Sequence, residues 1–140
     1  MSMPAGKLPL PELQAMKERG DKIVMVTAYD APGARFAEDA GIDVVLVGDT
    51  AAMVMLGHEG TTVPVTVDEM LFLTKTVARQ SHRPIVVGDM PFGSYQTGPQ
   101  DALRNAGSNA VVTDSHNPPE RVWRMLTAPD ETASLVDVSE

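Results

Sequence analysis

Runs of apolar residues with the length of strands alternate with helical patterns along most of the chain. The runs are almost wholly aliphatic, as in strands buried on both faces, and they cover residues 22–28, 42–48 and 84–90. The helical patterns, with apolar positions three or four residues apart, cover residues 11–21, 30–41, 66–80 and 98–107. Together they predict βαβ units and a parallel sheet covered on both sides.

Residues with known capping preferences mark the predicted helix ends. Asp30 is expected to cap the helix over 30–41, because its side chain can accept a hydrogen bond from a free backbone N–H. Thr66 and Glu69 have the spacing of a capping box, and Gly20 can end the first helix. Residues 49–65 predict an irregular loop.

The pattern changes near the end of the chain. A run at 109–114 predicts a fourth strand, whereas residues 115–140 show one short helical pattern around 122–126 and no sustained period. We therefore expect one domain over residues 1–114 and a divergent, irregular tail over 115–140.

Aspartates follow the apolar runs at Asp30, Asp49, Asp89 and Asp114. Because the carboxyl ends of parallel strands meet at one edge of a sheet, Asp49 and Asp89 are expected to converge there. Two convergent carboxylates suit a hard cation whose remaining ligands are substrate oxygens and water. The competing interpretation is that each aspartate caps the helix after it. For Asp30 capping is favoured, and for Asp49 and Asp89 both interpretations stay open.

The composition limits the partners and metal ions that the chain can be expected to bind. The 140 residues carry a formal net charge of −8 and no cysteine. The negative charge argues against nucleic acid and anionic membrane surfaces as partners, and the lack of cysteine excludes disulfides and thiolate zinc sites. A metal would be held by oxygen or by one of three histidines, which favours magnesium. We expect a cytoplasmic protein.

Four segments, "TAYD" (27–30), "LVGD" (46–49), "PVTVDEM" (64–70) and "DMPFGSY" (89–95), resemble in this order the ketopantoate hydroxymethyltransferases (3-methyl-2-oxobutanoate hydroxymethyltransferases). The resemblance runs from about residue 8 to 106. It implies an α/β fold, a partial TIM (β/α)8 barrel of which this chain supplies the first three to four βα units. It also implies oligomeric assembly.

The same resemblance implies an activity. Members of the family transfer a hydroxymethyl group from 5,10-methylenetetrahydrofolate, a co-substrate, to 3-methyl-2-oxobutanoate through a magnesium-stabilised enolate. The product, 2-dehydropantoate, leads to pantothenate and coenzyme A. By resemblance, Asp49 and Asp89 bind Mg²⁺ and the 2-keto acid, Thr50 stands where the family has a serine that contacts the keto acid, and Tyr29 lines the pocket.

Departures from the family pattern lie in the last third of the chain. If "AGSNAVVTD" is the counterpart of the family's fourth strand, Val112 stands at its lysine position and Asp114 at its metal-binding glutamate. The alternative is that residues after Ala106 are unrelated to the family. Since the family's general-base glutamate would lie beyond this chain, the catalytic residues are unknown. Two functions remain open: a truncated transferase, or an inactive homologue that binds or assembles with another copy or a full-length homologue.

Overall fold

The computed structural model describes residues 6–109, and side chains to residue 106. This part of the chain forms three strands and five helices, in the order α1 Leu10–Arg19, β1 Met25–Thr27, α2 Ala31–Asp39, β2 Val44–Val47, α3 Ala51–Val54, α4 Val67–Ala78, β3 Ile85–Gly88 and α5 Pro99–Asn109. The predicted fourth strand and the tail lie outside the described residues, except Asn109, which belongs to α5.

The strands form one parallel sheet in the order β1-β2-β3. Met25 pairs with Val44, and Val44 in turn pairs with Ile85. The pairing of Val47 with Gly88 fixes how the carboxyl ends of β2 and β3 lie side by side. Helices connect successive strands, which confirms the predicted α/β fold with parallel βαβ units.

One face of the sheet packs against α2 and α4. Its core joins sheet residues such as Val45 and Val86 to Ala34 of α2 and Met70 of α4. The predicted caps hold these helices. Asp30 Oδ1 accepts from the Gly33 N–H at 2.8 Å, and the capping box at the start of α4 has both of its reciprocal bonds.

The opposite face packs against α1 and the segment before it. Leu8 and Leu13 are buried together with Val44, Ile85 and Val87. The Leu8 N–H donates to the Arg83 carbonyl at 2.8 Å, which ties this segment to the start of β3. Within residues 6–109, no helix has both the length and the apolar character needed to cross a membrane.

Two sequence predictions are wrong in detail. The first strand was expected to be buried on both faces, but Met25 is 55% exposed. Among the described strands β1 has a partner on one side only, so the apolar run lies at an open edge. The predicted loop 49–65 contains the short helix α3, which is too brief to show a helical period.

Candidate ligand site at the carboxyl ends of the strands

Three oxygen atoms converge on Gly48, the residue directly after β2. A Cβ built on Gly48 would lie 3.5 Å from Asp89 Oδ2, 3.6 Å from Thr50 Oγ1 and 3.7 Å from the Tyr29 hydroxyl oxygen. Tyr29 follows β1, Thr50 follows β2 and Asp89 follows β3. The missing side chain of Gly48 therefore leaves a small cradle, lined by oxygens from all three strand ends.

Asp49 and Asp89 are joined by a hydrogen bond across the two strand ends. The Asp49 N–H donates to Asp89 Oδ2 at 3.1 Å, and the Asp89 N–H donates to the Val47 carbonyl at 3.0 Å. The Asp89 carboxylate thus orients towards the end of β2 and caps no helix. The N-cap residue of α3 is Thr50, and no side chain closes that cap. The capping interpretation is therefore wrong for Asp49 and Asp89.

The Asp89 carboxylate is partly buried and lies near a second negative charge, that of Asp49. Burial raises the pKa of Asp89, and the nearby Asp49 carboxylate raises it further, while the hydrogen bond from the Asp49 backbone opposes both. Desolvation and a like charge both disfavour the ionised form. A cation beside Asp89 would relieve both.

The donor set fits magnesium. It consists of the carboxylates of Asp49 and Asp89 with the hydroxyls of Thr50 and Tyr29 nearby, all of them hard oxygen donors. Among residues 6–109, no group of three or more His, Cys, Asp or Glu side chains is placed to hold a metal ion. Mg²⁺ commonly takes one or two protein carboxylates and completes its octahedron with ligand oxygens and water. Asp114, the third predicted ligand, lies outside the described residues.

The sequence interpretation missed the two glycines of this site. Gly48 and Gly88 both precede an aspartate in the repeated tripeptide "VGD". A Cβ on Gly88 would lie 2.7 Å from Oγ1 of the buried Thr74, so this glycine lets α4 approach the end of β3. The repetition of "VGD" was a signal in the sequence that could have pointed to both positions.

The described residues form an α/β fold, and its oxygen-bearing side chains gather at the carboxyl ends of parallel strands, which is where enzymes of this fold class commonly place their active sites. A family model described as ketopantoate hydroxymethyltransferase matches residues 7–116. The chain belongs to this family of transferases.

Relatives with the name 3-methyl-2-oxobutanoate hydroxymethyltransferase support the same family assignment. The protein from Moorella thermoacetica is 55% identical over 101 residues, which are 72% of this chain and 37% of that protein. The one from Carboxydothermus hydrogenoformans is 59% identical over 95 residues, 68% of this chain and 34% of that protein. The alignment with the Thermobifida fusca protein gives 55% identity with the same coverage. The matched part of the chain thus spans about a third of the length of these curated relatives.

Proposed function

We propose that the chain binds 3-methyl-2-oxobutanoate together with Mg²⁺ at the Gly48 cradle, as the acceptor side of hydroxymethyl transfer from 5,10-methylenetetrahydrofolate. The observation that carries this proposal is the convergence of Asp89, Thr50 and Tyr29 on Gly48, at 3.5 to 3.7 Å from the position of its absent Cβ. Family membership supplies the substrate, and the oxygen-lined cradle supplies a place of suitable chemistry for it.

Each side chain has a role in this proposal. Asp49 and Asp89 hold Mg²⁺, and the Asp49 N–H keeps the Asp89 carboxylate turned towards the cradle. The Thr50 hydroxyl donates a hydrogen bond to an oxygen of the keto acid, and the Tyr29 hydroxyl borders the other side. When bound, Mg²⁺ supplies Lewis-acid polarisation of the keto acid's carbonyl group.

The proposal extends to the architecture. Three parallel strands lie side by side in chain order, with connecting helices packed on one face, as at the start of a (β/α)8 barrel. We propose that residues 1–114 correspond to the first three to four βα units of a TIM barrel, followed by a divergent tail over 115–140. A cytoplasmic setting, where thiols would stay reduced, is compatible with a chain that has no cysteine.

Calorimetric titration tests the binding proposal. We expect 3-methyl-2-oxobutanoate to release heat in the presence of Mg²⁺ and none after EDTA is added. Asp49→Asn and Asp89→Asn should each abolish the metal-dependent heat. Asp39→Asn is the matched control, because Asp39 is an exposed aspartate at the end of α2. This helix leads from the carboxyl end of β1 to the amino end of β2, so Asp39 lies at the other ends of the strands from the cradle. Metal-dependent heat that survives Asp89→Asn in a folded chain would refute the site.

Gly48→Ala tests the cradle itself. Contacts of 3.5 to 3.7 Å to the new methyl group are ordinary van der Waals distances, so the fold should persist while the space for the ligand is filled. We expect unchanged stability and at least a tenfold loss of keto-acid affinity. The transfer step is measured separately, as 2-dehydropantoate formed from 5,10-methylenetetrahydrofolate. Binding without product would retain the site and refute catalysis by this chain alone.

A further inference from the structure

A tight turn follows β3, formed by the sequence "PFGS" (91–94). The Ser94 N–H donates to the Pro91 carbonyl at 3.0 Å, and Gly93 has a φ of 85°. These are features of a type II turn, whose third residue needs a positive φ. The Ser94 hydroxyl donates to the same Pro91 carbonyl at 2.6 Å. Because Pro91 and Ser94 are both buried, this turn is closed by two hydrogen bonds that are shielded from water.

A side chain of α5 ties the turn to that helix. Asn105 Nδ2 donates to the Ser94 carbonyl at 2.6 Å. Asn105 lies in the interior of α5, which runs from Pro99 to Asn109. Asparagine is a poorer helix former than alanine at such a position, because its side chain competes for backbone hydrogen bonds. Local helix stability therefore does not account for Asn105, whereas its bond to the turn does.

A short and stiff link connects the turn to Asp89. Only Met90 separates Asp89 from Pro91, and two residues of chain span about 7 Å at most. The proline ring fixes the φ of Pro91 and also restricts the backbone of Met90. On the other side, the Asp89 N–H donates to the Val47 carbonyl at 3.0 Å. The link has little freedom to absorb a shift of the turn, so the shift would reach Asp89.

We propose that Asn105 is a positioning residue for the ligand site at the Gly48 cradle. By holding the turn, it keeps the Asp89 carboxylate in the orientation in which Oδ2 accepts from the Asp49 N–H at 3.1 Å. Ligand sites need their side chains placed to within about 0.5 Å, so a loosened turn would misplace an oxygen of the cradle. The effect on ligand binding rests on the function proposed above, whereas the orientation of Asp89 can be measured in the ligand-free chain.

Hydrogen exchange of the Asp49 amide measures this orientation without ligand or metal. If Asn105→Ala releases the turn, the Asp49 N–H loses its acceptor, and we expect its exchange to become about tenfold faster. The Ile85 N–H, which donates to the Asp43 carbonyl at the other end of β3, should exchange at the wild-type rate. Unchanged exchange at Asp49 would overturn the proposal. Equal acceleration at Ile85 would also overturn it, because that result would show a general loss of stability.

Two further variants separate the hydrogen bond of Asn105 from its place in the helix. Asn105→Asp keeps the shape of the side chain, but a carboxylate cannot donate to the Ser94 carbonyl, so exchange at Asp49 should accelerate at least as much as in Asn105→Ala. Gln100→Ala is the matched control, because Gln100 is an exposed amide residue near the start of the same helix. It should leave exchange at Asp49 unchanged, and an effect equal to that of Asn105→Ala would overturn the proposal.

Calorimetry then measures the consequence for binding. Replacing a group that orients metal ligands typically lowers affinity about 10- to 100-fold, and because Asn105 acts through a turn we expect the lower end, about tenfold, for Mg²⁺-dependent binding of 3-methyl-2-oxobutanoate. The urea midpoint of Asn105→Ala should change little, since the better helix former offsets the lost hydrogen bond. Wild-type affinity in Asn105→Ala would overturn its role in the site. If the wild-type chain binds no keto acid while Asn105→Ala still accelerates exchange at Asp49, the proposed function fails and the positioning of Asp89 by Asn105 stands.

Discussion

Replacing Gly88 with alanine should destabilise the fold through a single buried contact. The new Cβ would lie 2.7 Å from Oγ1 of Thr74, 3.1 Å from its Cγ2 and 3.5 Å from its Cβ. Thr74 is fully buried, and its hydroxyl donates to the Met70 carbonyl at 2.6 Å. The threonine therefore cannot turn aside without losing this hydrogen bond, which contributes about 1 kcal/mol.

The magnitude follows from the geometry. An extra methyl group in a well-packed core costs about 1–3 kcal/mol, and with Thr74 held in place we expect about 2 kcal/mol for Gly88→Ala. At a urea dependence of about 2 kcal/mol per M, the unfolding midpoint would fall by about 1 M, with an unchanged slope. Movement of the end of β3 should also weaken Mg²⁺-dependent keto-acid binding, because Asp89 is the next residue.

A double-mutant cycle isolates the cause. Thr74→Ala removes the two nearest atoms, so Gly88→Ala should cost much less in the Thr74→Ala background than in the wild type. We expect a favourable coupling of about 1–2 kcal/mol between residues in contact. A Gly88→Ala midpoint equal to that of the wild type, or strictly additive effects in the double variant, would refute the packing argument.

Three further predictions concern the site and its supports. Burial raises the pKa of Asp89 and metal binding needs the ionised carboxylate, so the Mg²⁺ affinity measured by calorimetry should begin to fall at a higher pH than it would for an ordinary carboxyl group. Without metal, the contribution of Asp89 to the free energy of unfolding should increase as the pH falls through this raised pKa. An affinity or a stability that does not change with pH would contradict the corresponding prediction. Thr66→Ala should cost about 1 kcal/mol in urea unfolding by opening the cap of α4, whereas Thr66→Ser should be near neutral. Arg83→Met should cost about 3 kcal/mol, because it leaves the buried Asp43 carboxylate without its 2.8 Å partner; an unchanged midpoint would show that the pair contributes nothing.

Features decided by neighbouring residues could be predicted from the sequence. The Asp30 cap and the capping box of Thr66 and Glu69 depend only on bonds within one helical turn, and both are present. Gly20 ends α1 with a positive φ of 77°, as expected for a glycine after a helix. The strand positions also follow the apolar runs, because a run of aliphatic residues finds burial most readily in a parallel sheet.

Features decided by distant residues could not be predicted. An apolar run shows which side chains favour burial, but the burial of β1 depends on a second strand partner, and Val26 stays 40% exposed without one. Similarly, the strand-end aspartates were visible, but the hydrogen bond from Asp49 to Asp89 requires the register between β2 and β3. That register is set by packing across the whole sheet. The family resemblance supplied the roles of these residues, which stay predictions.

The two "VGD" tripeptides show how identical local sequence serves two different needs. At Gly48 a methyl group would meet three ligand-type oxygens at ordinary contact distances, so we expect it to compete with a ligand and to leave the protein intact. At Gly88 the space is already filled by Thr74, so a methyl group there should compete with the protein's own core. The aspartates after them also differ, since the Asp89 carboxylate accepts the hydrogen bond that the Asp49 backbone N–H donates. A strand-end glycine before an aspartate therefore indicates that another group comes close to the backbone. Its spatial neighbours decide whether that group is a ligand or a helix.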